Sequence, residues 1–238
     1  MPARLLAAAV LALWTAAPAT AATNASTSSN WSGYAVTRSG SHFKRVAATW
    51  TVPAVTCATR RPAYSAAWVG LGGYHDDSSA LEQVGTSSDC VDGAPRYSAW
   101  YELVPSPSVD LPLKVRPGDR ISASVVVTGR QVRVRLANRT TGAVATRRLR
   151  ASRVDTRAAE WIVEAPSLCD GSRCETQPLA DFGTTTFANA SATTTRGHTG
   201  TISDPAWSVN VISLSGIDGA APGELSPSGA SFPISYGV

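Results

Sequence analysis

Apolar and polar residues alternate with a period of two along much of the chain. The alternation is clearest in RISASVVVTGRQVRVRLANRTTG, residues 120–142. Ile121, Ala123, Val125 and Val127 alternate with Ser122 and Ser124; a TGR turn follows; then Val132, Val134 and Leu136 alternate with Gln131, Arg133 and Arg135. That pattern predicts two strands of a half-buried antiparallel hairpin. Similar runs at 43–52, 65–71, 80–84, 97–104, 158–164 and 206–214 are separated by Gly/Pro-rich turns, and no segment carries a helical apolar stripe of ten residues. Many short strands without helices imply an all-β fold, an antiparallel sandwich or barrel.

Strand parity then sorts the polar residues. In AAEWIVEAP (158–166), Glu160 and Glu164 lie four apart, so both project from one face with Ile162, while Trp161 and Val163 project from the other. On YSAWYELV, Trp100 and Glu102 share a face. Trp68 shares one with Ala66 and Gly70, and Gln83 with Leu81 and Gly85, Glu82 pointing the opposite way. Several strands thus offer a face bearing an aromatic, an acid or an amide beside small residues, a lining suited to an extended polymer. A solvated outer face would give the same alternation.

Residues 1–21 have a basic start at Arg4, an apolar run from Leu5 to Trp14 and a small-residue exit at Ala19-Thr20-Ala21. This is the pattern of a secretory signal, too short to span a bilayer. A short polar lead-in (22–29) and one domain (30–238) are expected to follow, in a secreted, extracellular protein, monomeric and without a membrane partner. Cys57, Cys90, Cys169 and Cys174 allow three pairings; Cys57–Cys90 and Cys169–Cys174 are the expected disulfides. No CxxC pair and only three scattered histidines argue against a metal site. The net charge is +4 and nearly all of the positive charge is arginine, but the arginines are dispersed along the chain without interleaved aromatics, which argues against nucleic acid. There is no GxSxG elbow, and no histidine has triad-like context; His198, in TTTRGHTG, reads as a surface residue. A hydrolase on this chain must therefore work with carboxylates and amides, either as a glycosidase or sugar-binding sandwich with a carboxylate pair, or as a peptidase whose carboxylate activates water.

NWSGY (30–34), WTVP (50–53), AAWVGLGG (66–73), LEQVGT (81–86), YSAWYELVP (97–105), VRPGDRISASV (115–125), LANRTTG (136–142) and AEWIVEAP (159–166) occur in the order seen in the glutamic peptidases, the eqolisins. Over about residues 30–215 the chain resembles a secreted, bacterial-type member of that family. The resemblance implies a double β-sandwich and an endopeptidase acting at acid pH on a protein or peptide substrate, without metal or cofactor. It places the catalytic pair at Gln83 and Glu164, with Trp68, Trp100, Glu102 and Glu160 near the substrate. The choice of Glu164 over Glu160 rests on the resemblance, since strand parity treats them alike. The chain departs from the family at Gly72, where fungal members carry an aspartate in Val-Gly-Ile-Asp-Gly, in its basic charge, and in having no substantial pro-segment after the expected leader. These departures leave open a catalytically silent binding protein of the same fold.

Overall fold

A computed structural model describes residues 22–170, 173–216 and 218–238. The expected leader at 1–21 lies outside them, as does the side chain of Cys169. Eighteen strands and no helix are present among the described residues. In chain order they are β1 (Ala22–Ser28), β2 (Trp31–Thr37), β3 (Phe43–Thr51), β4 (Ala66–Gly72), β5 (Leu81–Val91), β6 (Ala94–Val104), β7 (Val109–Asp110), β8 (Arg120–Thr128) and β9 (Gln131–Asn138). They continue with β10 (Val144–Arg150), β11 (Ala158–Glu164), β12 (Ser167–Asp170), β13 (Arg173–Thr176), β14 (Thr184–Thr194), β15 (Thr199–Gly200), β16 (Ser208–Leu214), β17 (Ala220–Pro222) and β18 (Phe232–Tyr236).

Sixteen of these strands form one sheet whose path runs β10-β9-β8-β3-β14-β18-β17-β16-β2-β11-β4-β5-β6-β7, with β1 added to β16 and β15 to β14. The sheet curls so that its two halves pack face to face. Ile121, Val125, Val134 and Trp50 from β8, β9 and β3 share one buried apolar core with Val69, Val84, Trp161 and Val163 from β4, β5 and β11. Each of these strands alternates as its sequence does, so the inward set is apolar and the outward set is free for chemistry. The expected sandwich is therefore present, built from a single curled sheet.

Among the segments that differ from the sequence expectation are the lead-in and a cysteine-bearing hairpin. Residues 22–28, expected as a lead-in, form β1, which pairs in parallel with β16 from Ala22↔Ser208 to Ser28↔Leu214. It contains only Ala, Ser, Thr and Asn, so no apolar signal marks it. The hairpin β12–β13 places Cys169 opposite Cys174 in backbone register. Cys57 and Cys90 form a disulfide with a Cα separation of 5.5 Å.

Candidate active site

The outward face of the β2-β11-β4-β5-β6 half carries the polar residues singled out by parity. Strand register sets them in rows. Glu160, Gly70, Gln83 and Glu102 face one another across β11, β4, β5 and β6. One pleat along, Ile162, Trp68, Gly85 and Trp100 form the next row, and Glu164 lies opposite Ala66 in the third. The middle row works because Gly85 has no side chain: a Cβ there would lie 2.6 Å from Trp68 Cβ and 3.0 Å from Trp100 Cζ2. Removing that one methyl lets two indoles share a row, and with Ala35, Leu81, Ile162 and Ile212 they form a second apolar cluster beneath the cleft.

Above this cluster the cleft encloses about 1370 Å³, and Glu164, Gln83, Glu102, Trp100, Asn30 and Trp31 all line it. A drug-sized ligand fills roughly 300–1,000 Å³, so the space suits a longer chain. Glu164 is pinned from two sides. Trp68 Nε1 donates to its Oε2 at 2.8 Å, and Asn30 Nδ2 donates to its Oε1 at 3.1 Å. Asn30 is held in turn by Ser28 Oγ, which accepts from its backbone N–H at 3.3 Å. Burial lifts the Glu164 carboxyl to about 7; Trp68 opposes that shift, and the charge of Glu102 adds to it. Gln83 Nε2 donates to Glu102 Oε2 at 2.6 Å, while its Oε1 makes no hydrogen bond among the described residues. Burial also raises Glu102, with the Gln83 bond pulling the other way.

The two acids of β11, alike in sequence, are unlike in space. Glu164 is half-buried and opens on the cleft. Glu160, expected beside it near the substrate, has 0% exposure and lies under the cleft floor. Neither of its carboxyl oxygens makes a well-formed hydrogen bond, and the same holds for the fully buried Glu82 on β5. Burial pushes Glu82 up to about 8 and holds Glu160 well above the usual carboxylate range; Asp155 raises both further. Asp155 itself sits low, at about 2: burial alone would raise it, but Arg157 and Ser78 Oγ outweigh that. Trp68, also expected at the substrate, has 0% exposure and acts on the cleft through its indole N–H.

Among the described residues no group of three or more His, Cys, Asp or Glu is placed to hold a metal ion. The site's chemistry comes from two carboxyls and one amide. Asn30 was within the NWSGY motif, yet parity gave it no partner, because it sits in the turn before β2 and reaches Glu164 across 134 positions. Only the pairing of β2 with β11, which sets Trp31 opposite Glu164, brings them together.

Comparison with known proteins agrees with this geometry. The model of the Peptidase A4 family matches residues 29–221. The chain is 29% identical over 238 residues to Aspergillopepsin-2 of Aspergillus niger, covering 90% of this chain and 79% of that protein. It superposes with a TM-score of 0.71 on scytalido-glutamic peptidase solved with a transition state analog inhibitor, at 28% identity over 87% of this chain and 98% of that one. The eqolisin SCP-B, in complex with the tripeptide Ala-Ile-His, superposes at 0.62 with 26% identity, over 87% and 98% of the two chains. The aspergilloglutamic peptidase of Aspergillus niger does so at 0.58 with 30% identity, over 73% and 99%.

Proposed function

The chain belongs to the Peptidase A4 family, and from that membership we propose that its endopeptidase chemistry runs on Glu164 and Gln83. The observation that carries the assignment is the carboxyl of Glu164, fixed by Trp68 and Asn30 in a cleft that it shares with the Gln83 amide. An extended polypeptide lies along the cleft. In its ionised form Glu164 takes a proton from a water as that water attacks the scissile carbonyl, and the neutral carboxylic acid then returns a proton to the leaving amine. Gln83 Oε1 is buried and makes no hydrogen bond among the described residues, so the amide acts through its Nε2. Of its two amide protons one is committed to Glu102; the other stabilises the oxygen that becomes negative.

A carboxyl near 7 is poised between the two roles on the acid side of neutral. The sign follows from the first step: below its pKa Glu164 is protonated, so kcat/KM falls about tenfold per pH unit toward strong acid. Within the acid range the base step is therefore fastest toward neutral pH. Export and a bacterial-type origin fit its leader-like start and its alanine- and arginine-rich composition.

The test is cleavage of a denatured protein across the acid and neutral range, with a chelator, a serine-protease inhibitor and pepstatin present. Cleavage that survives all three and is lost in Glu164→Gln and Gln83→Ala is the expected result. Cleavage unchanged in Glu164→Gln would remove Glu164 from the chemistry. Hydrolysis of glycans instead of protein, lost in Glu102→Gln, would replace the peptidase reading with a carboxylate-pair glycosidase.

A further inference from the structure

The arginines that are dispersed in sequence are gathered by the fold. Strands β3, β8, β9 and β10 make up much of the half that does not carry the cleft, and none of their positions holds an aspartate or glutamate. The inward residues of these strands, such as Val46, Val125, Val134 and Ala145, join the shared core, so Arg45, Arg133, Arg135, Arg148 and Arg150 project from the opposite, outer side, as do Val126 and Val144. Register sets Arg148 opposite Arg133, and Arg133 in the same row as Val126 and Arg45. Arg135 and Arg150 lie one pleat to either side of that row. None of the five has an ion-pair partner among the described residues; the ion pairs there belong to Arg157 and His198.

Such an arrangement works against stability. Like charges directly opposite on neighbouring strands repel, and Arg148 and Arg133 have no carboxylate between them to offset it. The acids of the sheet's strands lie in the other half, on β5, β6, β7 and β11. The charged residues on the outer face of these strands are thus all positive, and Ser124 and Thr146 flank Arg135 in one row.

We propose that this arginine face is an exosite for a linear, carboxylate-bearing polysaccharide, which tethers the enzyme while the cleft on the other side stays open. Guanidinium groups bind carboxylates with two parallel hydrogen bonds and keep their charge in acid. The row runs across the strands at about 4.8 Å per step, close to the length of one pyranose in an extended glycan, and the hydroxyls between the arginines suit sugar hydroxyls. Nucleic acid is a poorer fit, because the aromatics of these strands, Phe43 and Trp50, are buried in the core and offer no stacking platform. An anionic bilayer is a poorer fit because Val144 is the one large apolar side chain well exposed on these strands, too little to anchor a sheet in lipid.

The test measures binding of the purified mature chain to polygalacturonate at about pH 5, where uronates are largely ionised. Neutral dextran, a single-stranded oligonucleotide and phosphatidylserine-containing vesicles serve as comparison arms. The expected result is binding to polygalacturonate that weakens with salt and is not matched by dextran. In R133Q/R135Q/R148Q it weakens at least about tenfold, with an unchanged or higher Tm and unchanged kcat/KM on a short neutral peptide. Equal binding by the triple variant would overturn the site. Equal binding of dextran would overturn the role of charge, and tighter binding of the oligonucleotide or the vesicles would overturn the glycan. Because binding is read without turnover, these outcomes do not depend on the assignment of Glu164 and Gln83.

Discussion

Gln83 and Trp68 both bear on the reactivity of Glu164, and each can be changed singly. Gln83→Ala deletes the donor aimed at the developing oxyanion and is expected to cost about 2.7–4 kcal/mol of barrier, read as a fall in kcat with folding intact by circular dichroism. Trp68 lowers the Glu164 pKa by donating to its carboxylate. Trp68→Phe keeps a smaller aromatic ring but removes the N–H, so the pKa rises and the acid limb of the kcat/KM profile moves to higher pH. A profile that stays in place would mean that the indole contributes packing alone. Gly72 stands where the resemblance implies an aspartate. It has φ +88°, and a Cβ there would lie 2.5 Å from the carbonyl oxygen of Asp155. The backbone has closed onto the space an aspartate would need, and Asp155 already supplies a carboxylate beside it.

At the scale of strands, β5 and β11 carry a stability term that depends on pH. Glu82 and Glu160 are buried without well-formed hydrogen bonds and are held neutral, Glu82 up to about 8. Their pKa values are raised in the folded state, so between the ordinary carboxylate range and those raised values the folded chain holds protons that the unfolded chain has released. Stability is greatest in mild acid and falls as pH rises, for Glu82 by on the order of 4 kcal/mol by about pH 8. Glu82→Gln, which keeps the shape of the neutral acid, is expected to raise Tm at pH 8 and leave it nearly unchanged at pH 4. An equal shift at both would show that charge plays no part. The apolar strands were legible in sequence because their alternation is strong: 43–51 and 158–164 fall where expected. The strands β2, β10 and β14 were not expected, since Gly33 interrupts the first, Arg147 and Arg148 load the second and TTTFANASATT has a single large apolar residue. They are strands because their neighbours pair with them. The candidate site was legible as a face, through parity and resemblance. The unequal burial of Glu160 and Glu164 was not, because it depends on how the sheet curls.

Among the described residues one sixteen-stranded sheet folds over a shared core, with the carboxyls of its strands concentrated on one half and an arginine cluster on the other. The Cys57–Cys90 disulfide ties the connection between β3 and β4 to the end of β5, across 33 positions. Replacing both cysteines by serine is expected to lower stability by about 2–4 kcal/mol, measured by denaturant unfolding, while the peptide-cleaving site keeps its pH profile. The central claim is that of two glutamates on one strand face, the one open to the cleft does the chemistry. Its most direct test is kcat/KM on a single fluorogenic peptide at about pH 5, below the range in which Glu160 and Glu82 ionise, for wild type, Glu164→Gln and Glu160→Gln. The account predicts activity lost in Glu164→Gln and kept within a few-fold in Glu160→Gln. Activity kept in Glu164→Gln and lost in a folded Glu160→Gln would contradict it.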